Sequence, residues 1–237
     1  MGIHIPYGSG SLELNDAGLD VETLTSRIDS LRSGLSGAEL VRRALASPIG
    51  SPRLSELARG KRSAVIIISD HTRPVPSREI LPAMIDELRA GSPDIGIKLL
   101  VATGCHRLTS TDELRRKLGD EICDSFPVVV HDCRSGENVP RGTLPSGAEL
   151  VVDRTALECD LLVAEGFIEP HFFAGFSGGR KSVLPGICDK KTVMGNHCSA
   201  FLAYPLARSG ILDGNPIHRD MTAACRMAKL QFIVNVI

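Results

Sequence analysis

Neither sign of charge predominates in this chain, where 27 lysines and arginines stand against 28 aspartates and glutamates. A nucleic-acid binder carries a basic excess or stripe to neutralise phosphates, so no nucleic-acid partner is expected. Long apolar runs are missing as well. The central one, Ala64 to Ile68, falls far short of the roughly 20 residues that cross a bilayer, and the opening MGIHIPYGSG lacks the basic and apolar regions of a secretory leader. Pro6 stands where a myristoylation signal needs serine or threonine. The seven cysteines are odd in number and scattered, with no C-x-x-C pair. That excludes a disulfide framework and fits a reducing, cytoplasmic setting. Cys105-His106, Cys188 and His197-Cys198 also lack the close paired spacing of structural zinc. With no internal repeat and no low-complexity tract, what remains is a cytoplasmic globular chain without a membrane segment.

With 237 residues, 43% of them hydrophobic, the chain can build one large domain. Residues 1–60 read as an N-terminal hairpin (His4 to Gly10 with Leu12 to Leu14) and helices over Val21–Leu31, Ser36–Ala46 and Leu54–Arg59. Residues 61–237 alternate strand and helix, the pattern of an α/β fold with a largely parallel sheet and helices on both faces. Ala64–Ile68, Ile97–Val101, Val128–His131, Leu161–Ala164 and Gln231–Ile237 are the strands, with Glu149–Val152 expected beside or continuing the third. Helices are expected over Arg78–Arg89 (capped by Ser77), Asp112–Leu118 (a capping box from Thr109), Lys190–His197 and Ile217–Lys229.

The strand ends carry the chemistry. They present Asp70 and Arg73, His106 and Arg107, and His171, and open parallel sheets bind ligands at the carboxyl ends of their strands. After the last of these comes EPHFFAGFSGGRKSVLPGI, Glu169 to Ile187. Glycines beside a basic pair let backbone amides approach an anion while the side chains neutralise it, which makes Ser177, Gly178, Gly179, Arg180 and Lys181 candidates to hold an anionic group. A nucleotide P-loop is excluded, because its pattern needs glycine where Arg180 stands. Two histidines can exchange acid and base roles in a reversible reaction such as inversion at carbon, and Arg73 and Arg107 match a carboxylate. Two other readings stay open: a phosphate- or nucleotide-binding transferase or hydrolase using GGRKS, and a non-catalytic cofactor-binding module.

Three motifs, SDHTRPVPS (Ser69–Ser77), ATGCHR (Ala102–Arg107) and PHFFAGFSGGRKSVLPGI followed by Gly195-Asn196-His197, together resemble the signature of the nickel-dependent lactate racemase family. The resemblance implies a Rossmann-like N-terminal domain, with the family's C-terminal domain absent from this chain and a fragment nearly inactive by itself. It implies racemisation or epimerisation of a 2-hydroxy acid by reversible hydride transfer to a nickel pincer nucleotide, nickel with a pyridinium bisthiocarboxylate mononucleotide. In that resemblance Lys181 is the covalent attachment point and His197 the nickel ligand. His106 and His171 are the catalytic histidines, Arg73 holds the substrate carboxylate and Asp70 orients a neighbouring group. The partners it implies are a small 2-hydroxy acid, the enzymes that build the cofactor, and the C-terminal domain in cis.

Overall fold

The β-branched run Ala64–Ile68 is buried along its whole length, each residue 2% exposed or less. It is the middle of strand β3 (Ser63–Ser69) in a computed structural model that describes residues 3–15, 18, 20–22, 24, 30 and 33–237. The chain divides into two compact units, residues 1–36 and 37–237. In the first, β1 (Ile3–Tyr7) and β2 (Gly10–Leu14) form the expected hairpin, turning through Gly8 at φ +59°. The helix expected over Val21–Leu31 lies mostly outside the described residues.

The second unit begins with α1 (Gly37–Ala46) and α2 (Leu54–Ala58) and continues through β3 to α3 (Ser77–Gly91), β4 (Gly96–Ala102), α4 (Thr111–Leu118), α5 (Asp120–Ser125) and β5 (Val128–Val130). A hairpin follows, β6 (Val139–Thr143) with β7 (Glu149–Val152), then α6 (Arg154–Leu157) and β8 (Leu161–Phe167). The short β9 (Pro170–His171) and β10 (Gly175–Phe176) lead into a 3-10 turn at Gly179–Ser182. The helices α7 (Lys190–Asn196), α8 (Ser199–Leu202) and α9 (Pro216–Ala228) precede the last strand, β11 (Leu230–Val236).

Five strands make one parallel sheet in the order β11-β8-β3-β4-β5. Because β3 is followed by β4 on one side and later by β8 on the other, the order reverses between β3 and β8. Such a switch point leaves a crevice above the carboxyl ends of the two strands. Alternation along β3 feeds two cores. Ala64, Ile66 and Ile68 pack with α1 to α4 through Leu45, Leu81, Met84 and Leu118. Val65 and Ile67 pack on the opposite face with Leu150, Val183, Ile187, Met221 and Ala224. Each fully buried isoleucine contributes about 1.5–3 kcal/mol relative to exposure.

Three local expectations are corrected. Glu149–Val152 pairs antiparallel with Val139–Thr143, whereas β5 pairs with β4. The capping box starts at Ser110, whose hydroxyl accepts from the Glu113 amide, while Thr109 is buried against His71. Ser77 is the first residue of α3, and its hydroxyl donates to Glu165.

Candidate active site

Four segments converge on the switch point and enclose a cavity of about 340 Å³. The first is the loop after β3. Asp70 is 1% exposed, and its Oδ1 accepts from the Thr72 amide (3.1 Å) and hydroxyl (2.7 Å). Its Oδ2 accepts from His106 Nδ1 at 2.7 Å, so the loop after β4 is tied to the loop after β3. Burial pushes the Asp70 carboxyl upward, but the bonds from Thr72 and His106 outweigh it and leave the group below the ordinary carboxylate range. An ionised Asp70 places the hydrogen of neutral His106 on Nδ1, leaving Nε2 as an acceptor.

The third segment carries His171. Its Nδ1 accepts from the Ala174 amide at 3.3 Å, so the neutral ring keeps its hydrogen on Nε2, the opposite arrangement to His106. That Nε2 lies 3.2 Å from Lys181 Nζ. Phe172 stacks on the imidazole at 4.8 Å between centroids and Phe173 meets it edge-on at 4.5 Å. Burial, followed by the charges of Lys181, His197 and Arg73, pulls His171 down to about 4. Burial, then Arg180 and Arg73, pulls Lys181 down to about 8. Burial disfavours charge of either sign here, while the share of these shifts that comes from Lys181, Arg180 and Arg73 is the part that favours an anion.

His197, the cap residue after α7, is the fourth contributor. It meets Phe173 edge-on at 4.9 Å, its Nδ1 is buried without a hydrogen-bond partner, and burial followed by Lys181 lowers it to about 4. It is therefore a neutral imidazole at physiological pH, the form that binds metals. Among the described residues no three His, Cys, Asp or Glu side chains converge as a metal site.

Asp70, Arg73, His106, His171, Ser177, Gly178, Lys181 and His197 thus share one cavity. Arg73 is exposed and forms no ion pair among the described residues. Other named residues turn elsewhere. Arg107 forms a bidentate pair with Glu113 (2.6 and 2.9 Å). Arg180 is turned inward, with Nη2 donating to the carbonyls of Ala174 (2.7 Å) and Phe176 (3.0 Å), so it fastens the β9–β10 loop. The Gly179 amide donates to Asn235 Oδ1, and the Ser177 hydroxyl is taken up by Phe167 O and Glu169 N. Gly178 must be glycine: at φ +70° a Cβ would meet Phe167 O at 2.8 Å. Cys105, beside His106, is held at about 11 by burial and by Cys133, so its thiol stays protonated.

Residues 7–210 match the family model described as the lactate racemase N-terminal domain. The chain belongs to that family. It is 50% identical over 237 residues to the lactate racemase of Thermoanaerobacterium thermosaccharolyticum and 48% identical over 240 residues to that of Lactiplantibacillus plantarum. Each match covers 99% of this chain but 56% of the relative, so the chain spans little more than half their length. The solved apoprotein of the Thermoanaerobacterium lactate racemase superposes with a TM-score of 0.88 at 49% identity, over 99% of this chain and 55% of that one. A Thermotoga maritima protein shares the fold alone, with a TM-score of 0.65 at 22% identity over 84% of this chain and 50% of that one.

Sequence reading alone passed over Glu165, Lys117 and Asn235 as contributors to the site's framework. Glu165 had one visible signal, a carboxylate in a strand otherwise apolar enough to be buried on both faces. No helix among the described residues is long and apolar enough to cross a membrane.

Proposed function

We propose that this chain is the cofactor-bearing part of a 2-hydroxy acid racemase or epimerase of the lactate racemase kind, acting with a nickel pincer nucleotide. The observation that carries the reading is the meeting of two oppositely set histidines, a lysine of lowered proton affinity and a neutral imidazole in one electropositive cavity. Lys181 would hold the cofactor covalently, since an amine near 8 has an appreciable neutral, nucleophilic fraction at physiological pH. His197 would supply an imidazole to nickel, a metal that accepts nitrogen and sulfur donors. When bound, the cofactor supplies the acceptor and donor of hydride.

The rest of the chemistry falls to the chain. Arg73, unpaired at the cavity wall, holds the substrate carboxylate by paired N–H bonds. His106 Nε2, made an acceptor by Asp70, takes the hydroxyl proton of one enantiomer. His171, also neutral, lies at the same cavity, and its Nε2–H would orient the substrate hydroxyl by donating a hydrogen bond without giving up the proton. Phe172 stacks on one face of the imidazole and Phe173 meets it edge-on, which fixes the plane of the ring. The phosphate-loop reading is less well supported, because Arg180 is already engaged by two carbonyls.

The test is intact mass and nickel content after production together with the cofactor-building enzymes, with Lys181→Ala as control, followed by assay of lactate interconversion in the longest native form of the protein. An adduct and nickel that both disappear in Lys181→Ala support the reading. Nickel-free, unmodified protein from a host that loads a known lactate racemase would refute it. By this reading the family's remaining domain completes the cleft, and the 237-residue chain alone should load cofactor yet turn over poorly.

A further inference from the structure

Alternation along β8 places Glu165 on the same sheet face as Leu161 and Val163, both fully buried. A third apolar residue would be the less costly occupant, since a buried carboxyl loses its hydration. Glu165 is 1% exposed, its Oε1 accepts from the Ser77 hydroxyl at 2.5 Å, and its Oε2 has no hydrogen-bond partner. Lys117 of α4 approaches from the other side of the same loop. Its Nζ donates to the carbonyls of Arg73 (3.1 Å) and Val75 (3.5 Å) and is attracted to both Glu165 and Asp70. The loop that carries Asp70 and Arg73 is therefore held at its far end by Glu165 and along its backbone by Lys117. The packing of the core calls for neither side chain.

We propose that Glu165 is a positioning residue: through its bond from Ser77, and with Lys117 opposite, it sets the stance of the Arg73–Ser77 part of the loop, beyond the Asp70–His106 tie, and hence the reach of Arg73 toward a substrate carboxylate. The final step rests on the racemase reading; the control of the loop does not. Burial, only partly offset by Ser77 and Lys117, raises Glu165 to about 7, so it is neutral for much of its time near physiological pH. The hydrogen bond from Ser77 survives that neutralisation while the charge does not. Glutamine therefore reproduces the lasting part of the role and alanine removes it.

Hydrogen exchange of the chain as it stands, read by mass spectrometry, separates these cases. Three amides in the loop are donors, Thr72 to Asp70 Oδ1, Arg73 to Asp70 O and Ser77 to Val75 O. In Glu165→Ala the peptide spanning 69–77 should exchange roughly tenfold faster than in the native chain, while β4 keeps its protection. Glu165→Gln should restore most of the difference, and Ser77→Ala, which removes the other half of the bond, should reproduce it even if Glu165→Ala does not fold. Unchanged exchange at 69–77 in Ser77→Ala, or acceleration shared equally by β4, overturns the proposal. With cofactor-loaded full-length protein, Glu165→Ala should raise KM for lactate about tenfold with kcat within about twofold, and Glu165→Gln should rescue it. A fall in kcat at constant KM would count against the proposal. Absence of racemisation in the native protein would refute the activity and leave the exchange result to decide the positioning.

Discussion

Which nitrogen of an imidazole carries hydrogen is decided by its neighbours, and here a carboxylate decides it for His106 and a backbone amide for His171. Asp70→Asn keeps an acceptor for Thr72 but removes the charge that makes His106 Nε2 a base. On the racemase reading proposed above, lactate interconversion by the longest native form, loaded with cofactor, should fall about a hundredfold with little loss of fold, and an unaltered rate would show that Asp70 does not govern the proton. Lys181 offers a second test. Its peptide-resolved acetylation by acetic anhydride should rise through a midpoint near pH 8, where an unperturbed lysine would titrate near pH 10.4; a midpoint near 10 would sink the idea of a primed amine. At this scale residue types were legible and their directions were not. Arg107 and Arg180 have the chemistry of anion binders, yet one is claimed by Glu113 six residues on and the other by carbonyls of its own loop. A partner that folding supplies cannot be read from the residue type alone.

Elements were readable where pattern was strong. The unbroken β-branched stretch of β3 and the apolar periodicity of α9 match what forms. β6, Val-Pro-Arg-Gly-Thr, contains both residues that strands disfavour, and only its pairing with β7 makes it a strand. The start of α9 was also missed as a cap. Asn215 is 1% exposed, its Oδ1 accepts from the Ile217 and His218 amides, and its Nδ2 donates to the carbonyls of Phe173 (2.9 Å) and Ile211 (3.1 Å). The cap thus ties a helix end to the aromatic wall of the cavity. Asn215→Asp should keep the cap but leave two buried carbonyls without donors, costing about 1–3 kcal/mol in urea denaturation. Asn215→Ala should cost more, having lost both functions; equal stability of all three proteins would contradict this account.

Across the whole molecule, protonation ties stability to pH through groups the fold has shifted in opposite directions. Between about pH 4.5 and 6.5, folded His171 and His197, each near 4, bind fewer protons than unfolded histidines at 6.5. Folded Glu165, near 7, holds a proton that an unfolded glutamate at 4.5 releases. Two protons against one leave the unfolded chain binding about one more, so stability should rise with pH over this range. Solvent screening of the half-exposed imidazoles moderates the rise. Urea midpoints measured from pH 4.5 to 6.5 should increase, and increase more steeply in Glu165→Gln, which lacks the opposing group. Midpoints that fall across the range would show the shifts to be misassigned.

The Gly179 amide is fastened by Asn235, a residue 56 positions further along, in the final strand of the sheet. For a chain made from its N-terminus, that distance is a delay. At roughly 5–20 residues per second the interval is about 3 to 11 seconds, during which the lysine-bearing turn has been synthesised but its anchor has not. The turn beside Lys181 is therefore anchored only when the last strand has joined the sheet. On the proposed reading, covalent loading of that amine would follow completion of the strand order, and a chain halted before residue 235 would carry the lysine without the anchor of the turn beside it.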